Sequence, residues 1–165
     1  MMEAATLSGP TPLDLVDFGE LPEATNALLQ EGVLAYRCNP DLAREKFERA
    51  LEEAPAQLPV HFCLYKIHTY QGRLDEALAS AQLGLCEAAR QAGWPADWRR
   101  WRRPQDAQQP AARFALYTLK ALAFIRLKRD ERAQTAEILE ALRQLDPAGH
   151  VGWPVVAALA DGCSA

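Results

Sequence analysis

Apolar residues recur along most of this chain at the three- and four-residue spacing that places them on one side of an α-helix, and they do so in separated blocks. The first block opens at Pro22, whose missing N–H suits a first helical turn. Its apolar positions Ala24, Ala27, Leu28, Leu34 and Ala35 predict a helix to about residue 37. Cys38-Asn39-Pro40-Asp41 predicts a stop and a restart: Asn39 caps the next helix, Pro40 presets its first turn, and Asp41 suits its positive end. Up to about residue 54, Leu42, Ala43, Phe47, Ala50 and Leu51 form one stripe opposite a Glu/Arg face, and Pro55 closes the unit. A third helix over 58–71 carries Phe62, Leu64, Tyr65, Ile67 and Tyr70, and Gly72 supplies the left-handed residue that ends it. A fourth runs from near Leu74 to about Ala92, with Asp75 and Glu76 at its positive end and Gly93 and Pro95 beyond it.

The next segment, GWPADWRRWRRPQDAQQP, breaks the pattern. A fifth helix over 110–128 has Phe114, Leu116, Tyr117, Leu119, Leu122, Phe124, Ile125 and Leu127 around its circumference, which predicts a helix sandwiched between neighbours. Asp130 is expected to cap a sixth helix that ends at Asp146-Pro147, with Ala133, Ala136, Leu139 and Leu142 inward. A short last helix over 154–160 would cover the exposed end of the stack. Gly9, Pro10, Pro12 and Gly19 predict a partly flexible N-terminal arm over 1–21. A single helical domain follows over 22–165, with an insert at about 90–113. The expected fold class is all-α.

Composition agrees. At 165 residues, about half of them apolar, the chain can build one ordinary core. Charge is segregated: residues 1–31 carry six acids and no Lys or Arg, whereas residues 90–132 carry eleven basic residues against four acids. Such a division creates a directional field. The N-terminus has no basic region followed by an apolar run, and no stretch approaches the roughly 20 apolar residues of a membrane helix, so a cytoplasmic protein is expected. Cys38, Cys63, Cys86 and Cys163 stand singly, and reduced, mostly buried thiols are expected.

Tyr36, Ala43 and Leu51 precede Tyr70, Ala77 and Leu85 by 34 residues each. Ala43, Phe47, Ala50 and Pro55 supply a small residue for a helix crossing, an aromatic four later, a small residue three after that, and a closing proline. Gly72, Leu74, Ala77, Ala81 and Gly84 continue the order in a second unit, and Leu122, Ala123, Leu139, Leu142 and Pro147 follow it weakly in a third. Period and order together resemble the tetratricopeptide repeat (TPR) family over about residues 22–147. The resemblance implies a TPR-like α-solenoid of about three helical hairpins with a short C-terminal capping helix. Tyr65 departs from it, standing where the family has a small residue, which implies looser packing or a shifted register.

The resemblance also implies a protein-protein interaction scaffold, an adaptor or assembly factor, whose concave groove is lined by the first helix of each hairpin. Mapped by register, Tyr36, Phe62, Lys66, Thr69, Tyr70, Tyr117, Lys120 and Phe124 fall in or near that groove. The expected partner is another protein or peptide of acidic character, met by Lys66 and Lys120. The asparagine-bearing pattern of chaperone-tail carboxylate clamps is missing, so that ligand is not expected. Pro95-Ala96-Asp97-Trp98 followed by Leu119-Lys120-Ala121-Leu122 further resembles small TPR proteins found among bacterial nitrogen-fixation genes, which implies an accessory role there as an alternative.

The insert offers a second surface. Trp94, Trp98 and Trp101 are interleaved with Arg99, Arg100, Arg102 and Arg103, and a helix over 95–103 would put the three indoles on one face. That face can pack inward, the expectation for Trp94 and Trp98, or serve as an interface, since Trp and Arg are enriched in binding hot spots. The arginines can equally pair with the acidic arm. Stacking aromatics with basic residues also suit single-stranded nucleic acid, but an acidic chain without a recognised motif disfavours that class. No membrane partner is implied. His61, Tyr65 and His68 share a face at i, i+4 and i+7 with Cys38 and Cys63 as possible neighbours, yet no compact ligand set, phosphate loop or nucleophile motif appears. The expectation is therefore no metal, no cofactor and no catalytic residues.

Overall fold

The computed structural model describes residues 16–103 and 109–162. Those residues form seven α-helices and no strand: α1 Glu23–Ala35, α2 Pro40–Glu53, α3 Leu58–Tyr70, α4 Leu74–Ala92, α5 Pro110–Lys128, α6 Arg132–Leu145 and α7 Trp153–Gly162. The fold is all-α. Local chemistry sets most boundaries. The Asn39 side chain accepts the Leu42 N–H at 3.1 Å ahead of Pro40, and Gly72 (φ +71) lets the Arg73 N–H reach back to the His68 carbonyl at 2.8 Å. Among the described residues no helix is long and apolar enough to cross a membrane.

Each helix packs on the next in the chain, α3 also touches α5, and α7 lies against both α5 and α6. Two cores result. Leu28, Leu29, Ala43, Phe47, Val60, Leu64 and Ile67 fill one between α1, α2 and α3. The larger runs from α3 to α7 through Ala77, Ala81, Leu119, Leu122, Ile138 and Leu142, and Phe62 packs against both. Small residues allow close crossings. A Cβ on Gly32 would lie 2.3 Å from the Phe47 ring, and one on Gly84 would lie 2.8 Å from His61 Cβ.

The structure corrects several expectations. The buried face of α1 is Thr25, Leu28, Leu29 and Gly32, while Ala24 and Ala27 are exposed and Leu34 is 44% exposed. Gly32 must meet Phe47, and that contact rotates the stripe away from Leu34. On α6, Ala133 and Ala136 face outward and Thr135, Ile138, Leu139, Leu142 and Leu145 face inward. Thr135 is tolerated inside because its hydroxyl donates to the Glu131 carbonyl at 3.0 Å. Asp130 does not cap α6: it adopts φ +60 and pairs with Arg132 at 3.2 Å, leaving Glu131 at the cap position without a side-chain bond to the helix. Leu42 lies at the edge of its stripe, 38% exposed. Of the three described thiols only Cys63 is buried, whereas Cys38 and Cys86 are exposed; Cys163 lies outside the described residues.

Tyr65 is buried rather than loosely packed, and its hydroxyl meets Thr118 Oγ1 of α5 at 3.5 Å. The alanines of the same cluster, Ala77, Ala81 and Ala115, offset its bulk. After α6, the buried Asp146 carboxylate accepts the N–H groups of His150 (3.1 Å) and Val151 (3.0 Å), and its carbonyl accepts Trp153 Nε1–H at 2.7 Å. This knot fixes where α7 begins. The helix then lies against both α5 and α6.

Candidate partner groove and insert surface

Two clefts open between α1, α3 and α5. Between α3 and α5 lies a cleft of about 390 Å³ with Lys66, Thr69 and Tyr70 on one wall and Tyr117, Lys120 and Phe124 on the other. Val155, Val156 and Leu159 of α7 close its far side over a floor of Tyr65 and Ile125. Between α1 and α3 lies a second cleft of about 350 Å³, lined by Val33, Tyr36, Phe47, Phe62, Cys63 and Ile67, with Val16 and Phe18 at its edge. Lys66 and Tyr70 belong to both clefts. All eight groove residues expected from the sequence therefore line one cleft or the other. The α7 wall was not foreseen, and the run Trp153-Pro154-Val155-Val156 was the available signal for it.

Aromatic rings connect the two halves. Tyr36 and Tyr70 lie 5.9 Å apart between centroids, Phe62 and Tyr117 5.8 Å, and Phe62 and Tyr65 5.7 Å. The lysines sit on these rings: Lys66 Nζ is 4.9 Å from the Phe62 centroid and 5.5 Å from Tyr70, and Lys120 Nζ is 3.9 Å from Tyr117. A contact of this kind contributes about 0.5–1 kcal/mol where exposed and more when desolvated. Among the described residues neither lysine forms an ion pair, whereas Lys46 of α2 pairs with Glu31 at 3.0 Å. Burial lowers the proton affinity of Lys120, and the charge of Lys66 lowers it further. An arriving carboxylate would oppose both effects by favouring the charged ammonium. Thr69 contributes less than its position suggests, because its hydroxyl proton is committed to the Tyr65 carbonyl at 2.6 Å.

The insert does not form an α-helix over 95–103. Only Trp98–Arg100 turns, as a 3₁₀ segment capped by Asp97, whose carboxylate accepts the Arg99 N–H at 3.0 Å. Pro104 opposes helical geometry at Arg103, and Trp101 is drawn inward. All three indoles nonetheless meet the larger core. Trp101 is buried, donates Nε1–H to the Pro95 carbonyl at 2.7 Å, and meets Trp94 edge-on at 5.0 Å. Trp98 packs against the larger core with the Arg99 guanidinium 4.5 Å over its ring. Arg99 pairs with Glu137 of α6 at 2.6 Å and with Asp97 at 3.5 Å, so it is held by the domain itself. Arg100, Arg102 and Arg103 are exposed and, among the described residues, lack a carboxylate partner. Glu3 and Asp14 of the arm lie outside the described residues.

No family model, curated protein or solved structure matches the chain. The histidine face serves packing. His61 Nε2 bonds to the Pro55 carbonyl at 2.7 Å beneath the Gly84 crossing, and His68 is buried beside Arg73. Burial, then the Arg73 charge, lowers the proton affinity of His68. Burial pushes the Cys63 thiol up to about 12, so it stays protonated and unreactive. Cys38 is exposed on the α1–α2 turn, and among the described residues no three His, Cys, Asp or Glu side chains gather as metal ligands would.

Proposed function

We propose that this chain is a TPR-like helical-hairpin scaffold that binds a protein segment carrying both acidic and large apolar side chains in the groove between α1, α3 and α5. The observation that supports this most is Lys66 and Lys120: two lysines set on aromatic rings inside an apolar cleft, with no acid paired to them among the described residues. A structural lysine normally finds a carboxylate or open water, whereas these two leave a carboxylate-sized demand in a concave site. The rings around them provide broad, rigid contact area at little conformational cost. Arg100, Arg102 and Arg103 add a positive flank that would steer an acidic partner toward the domain. The inward packing of Trp94 and Trp101 leaves the insert without the stacking platforms that single-stranded nucleic acid needs, which favours the protein ligand.

Selection of displayed random dodecapeptides against the full chain tests the proposal. Winning sequences rich in Asp or Glu beside aromatic or aliphatic residues, and lost from the Lys66→Glu/Lys120→Glu chain, are expected. Neutral or basic winners, or binding that survives the double charge reversal, would remove the basis for the reading.

A further inference from the structure

The cleft between α1 and α3 already holds a short piece of this chain, and it holds it as a receptor holds a peptide. The side-chain amide of Gln30 clasps the main chain of Val16 at two points: Val16 N–H donates to Gln30 Oε1 at 3.1 Å, and Gln30 Nε2 donates to the Val16 carbonyl at 2.7 Å. Asn26 Oδ1 accepts from the same Nε2 at 3.1 Å, which orients the amide. A two-point clasp of this sort uses both polar ends of the amide on main-chain groups and is indifferent to the side chain it holds. Selection falls instead to Val16 and Phe18, two residues apart, which both line the cleft near Val33, Phe47 and Phe62. Two-residue spacing on one side is the period of an extended chain. Asp17, between them, turns back to accept the Gly19 N–H at 2.8 Å.

The contact is incomplete, since Val16 is 41% exposed and Phe18 only half-buried. It persists because residues 19–22 tether it to α1, and a short tether sets an effective concentration on the order of millimolar. The occupant also has the chemistry proposed for the partner: large apolar side chains with Asp17 and Glu20 among them.

We infer that this cleft is a receptor for an extended segment with large apolar side chains at i and i+2, filled in this chain by its own Val16–Phe18 and open to a partner segment of the same kind once that contact releases. The inference rests on the groove reading above, because the cleft is one half of that groove. It adds the conformation and spacing of the bound segment and a self-contact that competes with it.

The test uses a fluorescein-labelled peptide with the sequence of residues 13–21, LDLVDFGEL, and the full chain in three forms. Competition from the tethered copy multiplies the affinity by the fraction of molecules in which the cleft is open. The peptide should bind the Val16→Ser/Phe18→Ser chain about tenfold more tightly than the original, for a cleft open roughly one-tenth of the time. Adding Gln30→Ala should abolish that gain. Equal binding to all three forms overturns the inference. Amide exchange at Val16 gives a readout that needs no peptide: Gln30→Ala alone should accelerate it severalfold, up to about tenfold, and unchanged exchange contradicts the clasp. Light scattering addresses the remaining occupant, since a dimer that Val16→Ser/Phe18→Ser converts to monomer would place a second copy's segment in the cleft and overturn the self-contact. Lys120→Glu separates the two proposals. LDLVDFGEL binding that survives it while acidic dodecapeptides are unaffected by Lys66→Glu/Lys120→Glu defeats the groove reading alone, and the converse pattern defeats this one alone.

Discussion

Replacing Gly32 with alanine sets two opposed effects of known size against each other. In an isolated helix the change is stabilising by about 1 kcal/mol, because glycine has more backbone entropy to lose. Here the new Cβ would lie 2.3, 2.8 and 2.9 Å from three atoms of the Phe47 ring, distances that real Cβ contacts essentially never show. Phe47 cannot swing away freely, as it is 5% exposed and packed within the core shared by α1, α2 and α3. Forcing a methyl into such a core costs about 1–3 kcal/mol, and the upper part of that range applies where the obstructing group is a buried ring. The net expectation is a loss of about 1–2 kcal/mol, the sign opposite to that of a solvent-exposed helical glycine. For a chain of this length that lowers the melting temperature by roughly 2–8 °C. Urea unfolding followed by far-UV circular dichroism measures it directly. A double-mutant cycle identifies the cause: Phe47→Leu should be less harmful in the Gly32→Ala chain than in the original. A Gly32→Ala protein as stable as the original, or additive with Phe47→Leu, would refute a close α1–α2 crossing at this point.

Three further predictions follow from buried polar groups. Trp101→Phe should cost about 1–3 kcal/mol, since the Pro95 carbonyl loses its donor while most of the apolar packing survives, and urea titration reads the loss. Asp146→Asn keeps one acceptor but turns an amide N–H₂ toward a backbone N–H, so about 1–3 kcal/mol should be lost, with faster amide exchange at His150 and Val151 before the rest of the fold. Stability should depend on His68. Its proton affinity in the fold lies below the ordinary 6.5, so the unfolded chain binds the proton first as pH falls. The contribution is complete above pH 6.5 and is lost as pH drops from there toward the folded value, with Arg73 and Arg44 opposing protonation and Glu76 favouring it. The urea midpoint should fall between pH 7.5 and 5.5, and His68→Gln should flatten that dependence.

Helix ends were legible wherever glycine, proline or asparagine carries its own local mechanism, which is why α4 and α5 run over the residues expected. Inward faces were less legible on α1 and α6. Their apolar residues spread over more than one side, and the choice among sides is made by a neighbour, as Phe47 chooses Gly32 over Leu34. The eight positions expected in a groove line the two clefts because they stand on, or just beyond, α1, α3 and α5. Spacing could not foretell α7 as a wall, since that depends on the Asp146 knot turning the chain back. The insert is not α-helical for a similar reason: the Trp101 indole finds the Pro95 carbonyl, a tertiary preference that outweighs periodic spacing.

The proposal that the groove takes acidic side chains between its lysines can be tested at those atoms. The chain has four lysines, Lys46, Lys66, Lys120 and Lys128, and a carbodiimide joins a lysine to a carboxylate only where the two already touch. Zero-length cross-linking of the selected acidic peptide to the full chain, mapped by mass spectrometry, should therefore yield links at Lys66 and Lys120. Links confined to Lys46 and Lys128 would contradict the account.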